Sequence, residues 1–303
     1  MKILNFGSCN VDFVYRLPHF VQPGETLTAK SLAKNPGGKG LNQSIALARA
    51  GSRVFHAGCV GEDDPFLRQL LKANGVDTTY LATVPAPTGQ AVIYVDDGGE
   101  NSIVLLPGAN ATVTEGQIAD VLRSFSAGDI LLLQNEISGC RALLAAAAEK
   151  GMRVVFNPAP FDPALRDTDL SRLSYLICNE TEAAGLFGKD APEEFLAHLA
   201  SACPALDAIV TLGAAGCLYT EGGRVCRHPA YRVPVADTTA AGDTFVGYFV
   251  SEISRGAGMG NAVRLATAAA ALTTTRAGAA GSIPLRAEVL AALPTLVPYP
   301  AGQ

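Results

Sequence analysis

Short apolar runs of strand length recur along this 303-residue chain with helical patterns between most of them, and that alternation constrains the fold more than any other feature. The runs lie at 3–8, 54–60, 130–133, 154–156, 176–178 and 208–212. Helical patterns, with apolar residues at three-to-four spacing or in long Ala/Leu series, occupy 42–50, 65–74, 115–125, 140–150 and 180–187. Strands buried on both faces and joined through helices make a parallel sheet covered on both sides. The chain therefore reads as α/β with a mostly parallel central sheet.

Two intervals, 11–34 and 89–106, break the alternation. In the second, Ala91-Val92-Ile93-Tyr94-Val95 and Ser102-Ile103-Val104-Leu105-Leu106 flank Asp96-Asp97-Gly98-Gly99-Glu100, which is a hairpin signal. The intervals are expected to project a small β-sheet lid from a body made of residues 1–10, 35–88 and 107–303. No internal repeat and no Pro/Ser linker divides the chain, and the alanine-rich stretch 262–271 reads as a close-packed helix.

Composition excludes several classes. The formal charge of −5, with no Lys/Arg cluster, offers no field to a phosphodiester backbone, so nucleic acid is not an expected partner. No stretch approaches the ~20 apolar residues that span a bilayer, and the first residues turn polar too early for a signal-peptide core. A cytoplasmic protein without a membrane partner is expected. Seven scattered cysteines, none in a C-x-x-C pair, read as reduced thiols, and the four histidines lack zinc-ligand spacing.

The most informative segment is Asp237-Thr238-Thr239-Ala240-Ala241-Gly242-Asp243-Thr244-Phe245. It follows an extended Val233-Pro234-Val235 and precedes an apolar helical run, which puts Ala241, Gly242 and Asp243 at a helix N-terminus. Unpartnered N–H groups and the positive end of the dipole suit a transferring phosphoryl group there, and small side chains let it approach. Asp243 then stands within reach of an attacking hydroxyl as general base, or else merely caps its helix.

A second constellation, Asn35-Pro36-Gly37-Gly38-Lys39-Gly40-Leu41-Asn42-Gln43, joins the first lid interval to a helix. Its glycines permit close approach, and Lys39 and Asn42 offer donors to a polyhydroxylated ligand; a plain glycine turn fits the same residues. It is not a Walker A loop, because Gly40 follows Lys39 where Ser or Thr is required. Asn10 and Asp12 share one face of an extended segment and either hold sugar hydroxyls or form a polar strand end. Glu136, Asn157 and Asn179 fall at the carboxyl ends of apolar runs, where open α/β sheets bind ligands.

Asn179-Glu180-Thr181-Glu182 opens a helix. Asn179 and Glu182 either serve that helix start or order water around a nucleotide-bound magnesium ion. Thr211-Leu212-Gly213-Ala214-Ala215-Gly216 either wraps a nucleotide or turns the chain. The nearest match to a dinucleotide fingerprint, Gly256-Ala257-Gly258-Met259-Gly260-Asn261, follows a helix and lacks the last glycine, which argues against a nicotinamide-dependent oxidoreductase.

Together, Gly7-Ser8-Cys9-Asn10-Val11-Asp12, Gly38-Lys39-Gly40-x-Asn42, Asp237-x-Thr239-x-Ala241-Gly242-Asp243 and Gly278-Ala279-Ala280-Gly281-Ser282 resemble the ribokinase family, or phosphofructokinase-B-type carbohydrate kinases, over nearly the whole chain. The resemblance implies a ribokinase-like α/β fold with a β lid, often used for homodimerisation. It implies transfer of the ATP γ-phosphoryl group to a hydroxymethyl oxygen. Residue by residue, it assigns Asn10, Asp12, Gly38, Lys39, Asn42, Glu136 and Asp243 to the sugar. It assigns Asn179, Thr211, Gly213, Gly216, Gly242 and Thr267 to ATP, with Ala241 and Gly242 in the anion hole.

The resemblance further implies a potassium ion at Asp237, Thr239, Thr273, Arg276, Gly278 and Ser282, and magnesium reached through water by Glu182. Asn157-Pro158-Ala159-Pro160 and the Gly-Gly-Lys-Gly loop make D-ribose, giving ribose 5-phosphate, the first expectation. Deoxyribose, a nucleoside or a hexose on the same fold are alternatives, as is a non-catalytic sugar-binding sensor. The chain departs from the family pattern at Asn135, Cys178 and Thr267.

Overall fold

A computed structural model describes residues 1–300, and the alternation resolves into two sheets. The chain opens with β1 (Ile3–Phe6), runs out through β2 (Asn10–Arg16), β3 (Ser31–Gly37) and α1 (Lys39–Arg49), and returns as β4 (Val54–Gly61), α2 (Phe66–Ala73) and β5 (Asp77–Val84). The hairpin β6 (Gly89–Val95) and β7 (Asn101–Leu106) precedes α3 (Glu115–Leu122), β8 (Ile130–Gln134), α4 (Cys140–Glu149), β9 (Arg153–Asn157), β10 (Tyr175–Asn179) and α5 (Glu180–Phe187). After α6 (Pro192–Ala202) come β11 (Asp207–Thr211), the hairpin β12 (Cys217–Glu221) and β13 (Arg224–His228), and then α7 (Ala241–Ser254), α8 (Met259–Thr274) and α9 (Arg286–Ala292).

The large sheet runs β13-β12-β11-β10-β9-β8-β1-β4-β5 and is parallel except at its β11-β12-β13 edge. Strands β5, β12 and β13 add to the expected set. All lie at or next to a sheet edge, where polar residues such as Thr78, Thr79, Arg224 and Arg227 dilute the apolar run.

Within the central strands, consecutive residues enter opposite cores. Ile3, Ile130, Leu132, Val155, Ile177 and Ile209 pack with α1, α7, α8 and α9. Leu4, Phe6, Leu131, Leu133, Val154, Phe156, Leu176 and Val210 pack with α3, α4, α5 and α6. The period of two, apolar at most positions on both faces, makes these strands near-continuous hydrophobic runs in the sequence, interrupted at Asn5 and Gln134.

The small sheet has the order β3-β2-β6-β7, parallel only between β2 and β6. It is wider at its root than intervals 11–34 and 89–106, because pairing of β2 with β3 continues to Asn10 opposite Gly37 and takes in Asn35 and Pro36. Lys34 anchors it to the body. Its ammonium lies 2.6 Å from Asp64 and stands 5.7 and 5.3 Å from the ring centroids of Phe13 and Phe66.

From β1 the chain goes first to β4 on one side and later to β8 on the other, so the direction of winding reverses between β1 and β8. A crevice at the carboxyl ends of two such strands is the usual ligand position in an open α/β sheet. Among the described residues, no helix is long and apolar enough to cross a membrane.

Candidate active site

Because β1, β8, β9, β10 and β11 are parallel, their carboxyl ends deliver Ser8, Glu136, Asn157, Asn179 and Thr211 to one rim of the sheet. The glycine-rich loop is pressed onto this rim. Gly38 has φ 92°, and a Cβ at Gly40 would stand 2.3 Å from the Ser8 nitrogen, so neither position accepts a larger residue without displacement. Leu41 N–H donates to the Ser8 carbonyl at 2.9 Å, and Lys39 N–H donates to Glu136 Oε2 at 2.9 Å. Ser8 Oγ donates to that same carboxylate oxygen. One carboxylate thus joins β1, β8 and the start of α1.

Asp243, in the first turn of α7, accepts from both residues that α1 presents to it. Asn42 Nδ2 donates to Oδ2 and Gln43 Nε2 to Oδ1, each at 3.0 Å. Gln43 belongs to a buried amide network. Its Nε2 also lies 3.0 Å from Asn157 Oδ1, while Gln134 Nε2 donates to Gln43 Oε1 at 2.6 Å and lies 2.9 Å from Asn5 Oδ1. Asn5 Nδ2 in turn reaches the Gly40 carbonyl at 2.7 Å. Buried amides are rarely left unpaired, so this array fixes the Asp243 carboxylate from behind.

Gln43, Gln134 and Asn5 were not among the expected site residues, although Asn5 and Gln134 interrupt strands that are otherwise apolar. A polar residue inside such a run has to find a buried partner. Asn110 gave no comparable signal. It lies in a short 3-10 helix (Gly108–Thr112), and its Nδ2 donates to Asn10 Oδ1 at 2.7 Å while its Oδ1 accepts the Cys9 N–H at 3.1 Å.

The helix-end amides differ from expectation in one respect. A turn from Thr238 to Ala241, with Ala240 at φ 61°, closes a hydrogen bond from Ala241 N–H to the Thr238 carbonyl at 3.2 Å. Ala241 therefore has its amide engaged. Those of Gly242 and Asp243 have no partner among the described residues, and these two form the open donor pair.

A cavity of about 160 Å³ lies against this pair, lined by Lys39, Asn157, Asn179, Glu182, Gly242 and Asp243 among others. It adjoins a second cavity of about 280 Å³ through Thr211 and Gly242, which line both, and that one continues along Gly213, Gly216 and Thr267. All six residues expected at ATP thus line two adjoining cavities. A third, of about 320 Å³, borders Asn10, Asn135 and Glu136 below Leu105 and Leu106 of β7. Asp12 sits beside Gly37, where a Cβ would come within 2.2 Å of its carboxylate.

Five charged groups, Asp12, Lys39, Glu136, Glu182 and Asp243, share this space. Burial raises the Asp243 and Glu136 pKa values, with Lys39 opposing in both cases. Asp12 is pushed up from 3.8 to about 6 by burial and then by Glu136 and Asp243. Burial works against the Lys39 charge, but Asp243, Glu136, Glu182 and Asp12 outweigh it and hold the ammonium.

Glu182 performs the structural role expected of a helix start. Its Oε2 accepts the Asn179 N–H at 3.0 Å and Asn179 Oδ1 accepts the Glu182 N–H at 2.8 Å, a capping box that still leaves Glu182 lining the cavity. Asp237 ties two loops together, accepting from Thr239 N–H and Oγ1 on one oxygen and from Gly278 N–H at 2.9 Å on the other. The other side chains expected around an ion there face their own partners: Thr273 Oγ1 lies 3.0 Å from Thr244 Oγ1, Arg276 pairs with Glu288, and Ser282 Oγ donates to the Ala279 carbonyl.

The three family departures are accommodated in place. Asn135 Nδ2 donates to the Pro160 carbonyl, Cys178 is buried in β10 beside the 160 Å³ cavity, and Thr267 Oγ1 donates to the Val263 carbonyl within α8.

A doubly covered parallel sheet with a projecting β layer, and a recessed carboxylate beside open helix-end amides, define a small-molecule phosphotransferase. Comparison with known proteins gives the family: the chain matches the pfkB family carbohydrate kinases over residues 1–286 and belongs to that family. It is 38% identical over 293 residues to the ribokinase of Haemophilus influenzae, covering 94% of this chain and 95% of that protein. Among solved structures it resembles the Cryptococcus neoformans ribokinase in complex with ADP, with a TM-score of 0.86 at 36% identity over 96% of this chain and 99% of that one. The Arabidopsis thaliana ribokinase complexed with ribose and ATP aligns with a TM-score of 0.83 at 29% identity, covering 96% and 98%.

Proposed function

We propose that the protein is an ATP-dependent ribokinase of the cytoplasm that transfers the γ-phosphoryl group to the hydroxymethyl oxygen of D-ribose, giving ribose 5-phosphate and ADP. One observation carries the reading. Asp243, gripped by Asn42 and Gln43, lies where the open Gly242 and Asp243 amides face the cavity that adjoins the nucleotide-sized one. The related ribokinases were solved with ADP and with ribose and ATP, which supports reading the adjoining cavities as the nucleotide side of the site.

In this reading Asn10, Asp12, Gly38, Lys39, Asn42 and Glu136 hold the sugar with its free hydroxymethyl group toward Asp243. The acceptor oxygen forms a bond to the γ-phosphorus as the bond from that phosphorus to the β-bridging oxygen breaks. The hydroxyl proton passes to Asp243, and ADP leaves with the electron pair of the broken bond. Burial raises the Asp243 pKa, which makes it a better proton acceptor, and in a loose transition state the proton moves late. Lys39 and the two free amides offset charge on the moving phosphoryl group.

The cavity residues also suit the expected cations. Magnesium keeps most of its waters, and Asn179 and Glu182 face the cavity where such waters would sit; bound there, the ion neutralises phosphate charge. A potassium site fits the Asp237 carboxylate with neighbouring backbone carbonyls, an all-oxygen set, and would steady the turn that leads into α7. The small sheet acts as a lid that excludes water from the acceptor. Its exposed apolar residues Leu32, Ile103, Val104, Leu105 and Leu106 meet a second copy of the chain.

An ADP-release assay over ribose, deoxyribose, fructose and a nucleoside tests the assignment. Ribose is expected to give the highest kcat/KM. A different sugar ranking first replaces the acceptor, and release with none of them leaves a sugar-binding sensor.

A further inference from the structure

The cavity of about 280 Å³ is lined in part by residues that belong to none of the sequence motifs. Beyond α9 the chain returns and lies against the segment after β13. Arg232 N–H donates to the Val297 carbonyl and Tyr299 N–H to the Ala230 carbonyl, both at 2.8 Å, and Tyr231 bridges to Pro298 in antiparallel fashion. This clamp carries the half-buried Tyr299 into the cavity lining, which it shares with Tyr231, Val233, Val235 and Phe245. The Arg232 guanidinium carbon stands 5.3 Å from the Tyr299 ring centroid and restrains the ring.

The chemistry of this wall is selective in kind. Threonine hydroxyls line it, but among the described residues no Asn, Gln, Asp, Glu, Lys or Arg side chain does. A flat aromatic group is therefore held there chiefly by stacking and by removal from water, with little side-chain reading of its polar edge. The phosphate end of such a ligand points toward Gly242, shared with the smaller cavity.

We propose that Tyr299 is a nucleobase-binding residue, brought to the nucleotide by a strap formed from the residues after α9. This rests on reading the cavity as the nucleotide site. Titration calorimetry with ADP on purified full-length protein tests it, with melting curves for each variant. Alanine at a base-stacking aromatic typically weakens binding by about 1–3 kcal/mol, roughly fivefold or more in Kd, and this is expected for Tyr299→Ala. Tyr299→Phe keeps the ring and should stay within about twofold of wild type, while Tyr299→Leu, which keeps bulk without aromaticity, should lose affinity as the alanine variant does. The ATP KM should rise in step with the ADP Kd, with the ribose KM unchanged. Wild-type ADP affinity in a folded Ala or Leu variant overturns the role of Tyr299. Failure of the wild-type protein to bind ADP overturns the nucleotide site itself.

Discussion

Asp12 sets binding against stability. Its pKa is raised from 3.8 to about 6, so between those values the folded protein holds a proton that the unfolded chain has released. Stability attributable to this group is therefore highest below about pH 4, falls as pH rises, and is fully lost above about 6. Asp12→Asn removes the penalty. After allowance for partial exposure, the ligand-free variant should be more stable at neutral pH by on the order of 1–2 kcal/mol, with the gain vanishing toward about pH 4, as urea melts at the two pH values would show. In the wild type, kcat/KM for ribose should fall as Asp12 is protonated below about pH 6. Unchanged stability together with unchanged ribose KM in the variant would separate Asp12 from the site. At this scale the sequence was most legible where side chains alternate along strands: Asn10 and Asp12 do occupy β2. It was least legible at Gln43 and Asn110, whose importance depends on partners far along the chain.

Two glycines distinguish what each helix start requires. A Cβ at Gly40, in α1, would meet the Ser8 nitrogen at 2.3 Å, whereas one at Gly242, in α7, meets nothing within 4 Å. Gly40→Ala should thus destabilise the fold by about 1–3 kcal/mol or more, as overpacking does. Gly242→Ala should leave the melting temperature nearly unchanged but raise the ATP KM at least about tenfold, because the methyl group occupies the approach to the open amides. Denaturation and steady-state kinetics on both variants would show whether the two effects separate. If Gly242→Ala keeps its ATP KM, the phosphoryl group does not pass there. The position of α7 was evident from an extended segment followed by a small-residue start and an apolar run. The state of each amide was not: Ala241 loses its free N–H only because Ala240 adopts φ 61°, a conformation that alanine gives no reason to expect.

At the scale of the whole molecule, topology brings the pieces of the site together. Residues near 10, 40, 136, 180 and 243 converge because parallel strands end on one edge and the winding reverses beside β1. Buried strands announced that architecture; β5 and β13 at the sheet edges, and β12 next to one, did not, because polar residues dilute their apolar runs. The small sheet is the part that leaves apolar side chains exposed. Every residue of β7 is exposed, with Ile103 52% and Val104 58% accessible, and its outer edge pairs with no strand among the described residues. Sedimentation should find a dimer, and Val104→Asp with Leu105→Asp should shift it to monomer while the ligand-free melting curve of the body is retained. A wild-type monomer would remove the assembly role from this surface.

The central claim is that the Asp243 carboxylate removes the acceptor proton. Turnover of Asp243→Asn with ATP and ribose tests it most directly, beside ADP and ribose affinities measured on the same preparation. We expect kcat to fall by roughly 10²–10⁴-fold with both ligands still bound and the fold intact. Turnover within a few-fold of wild type would contradict the account.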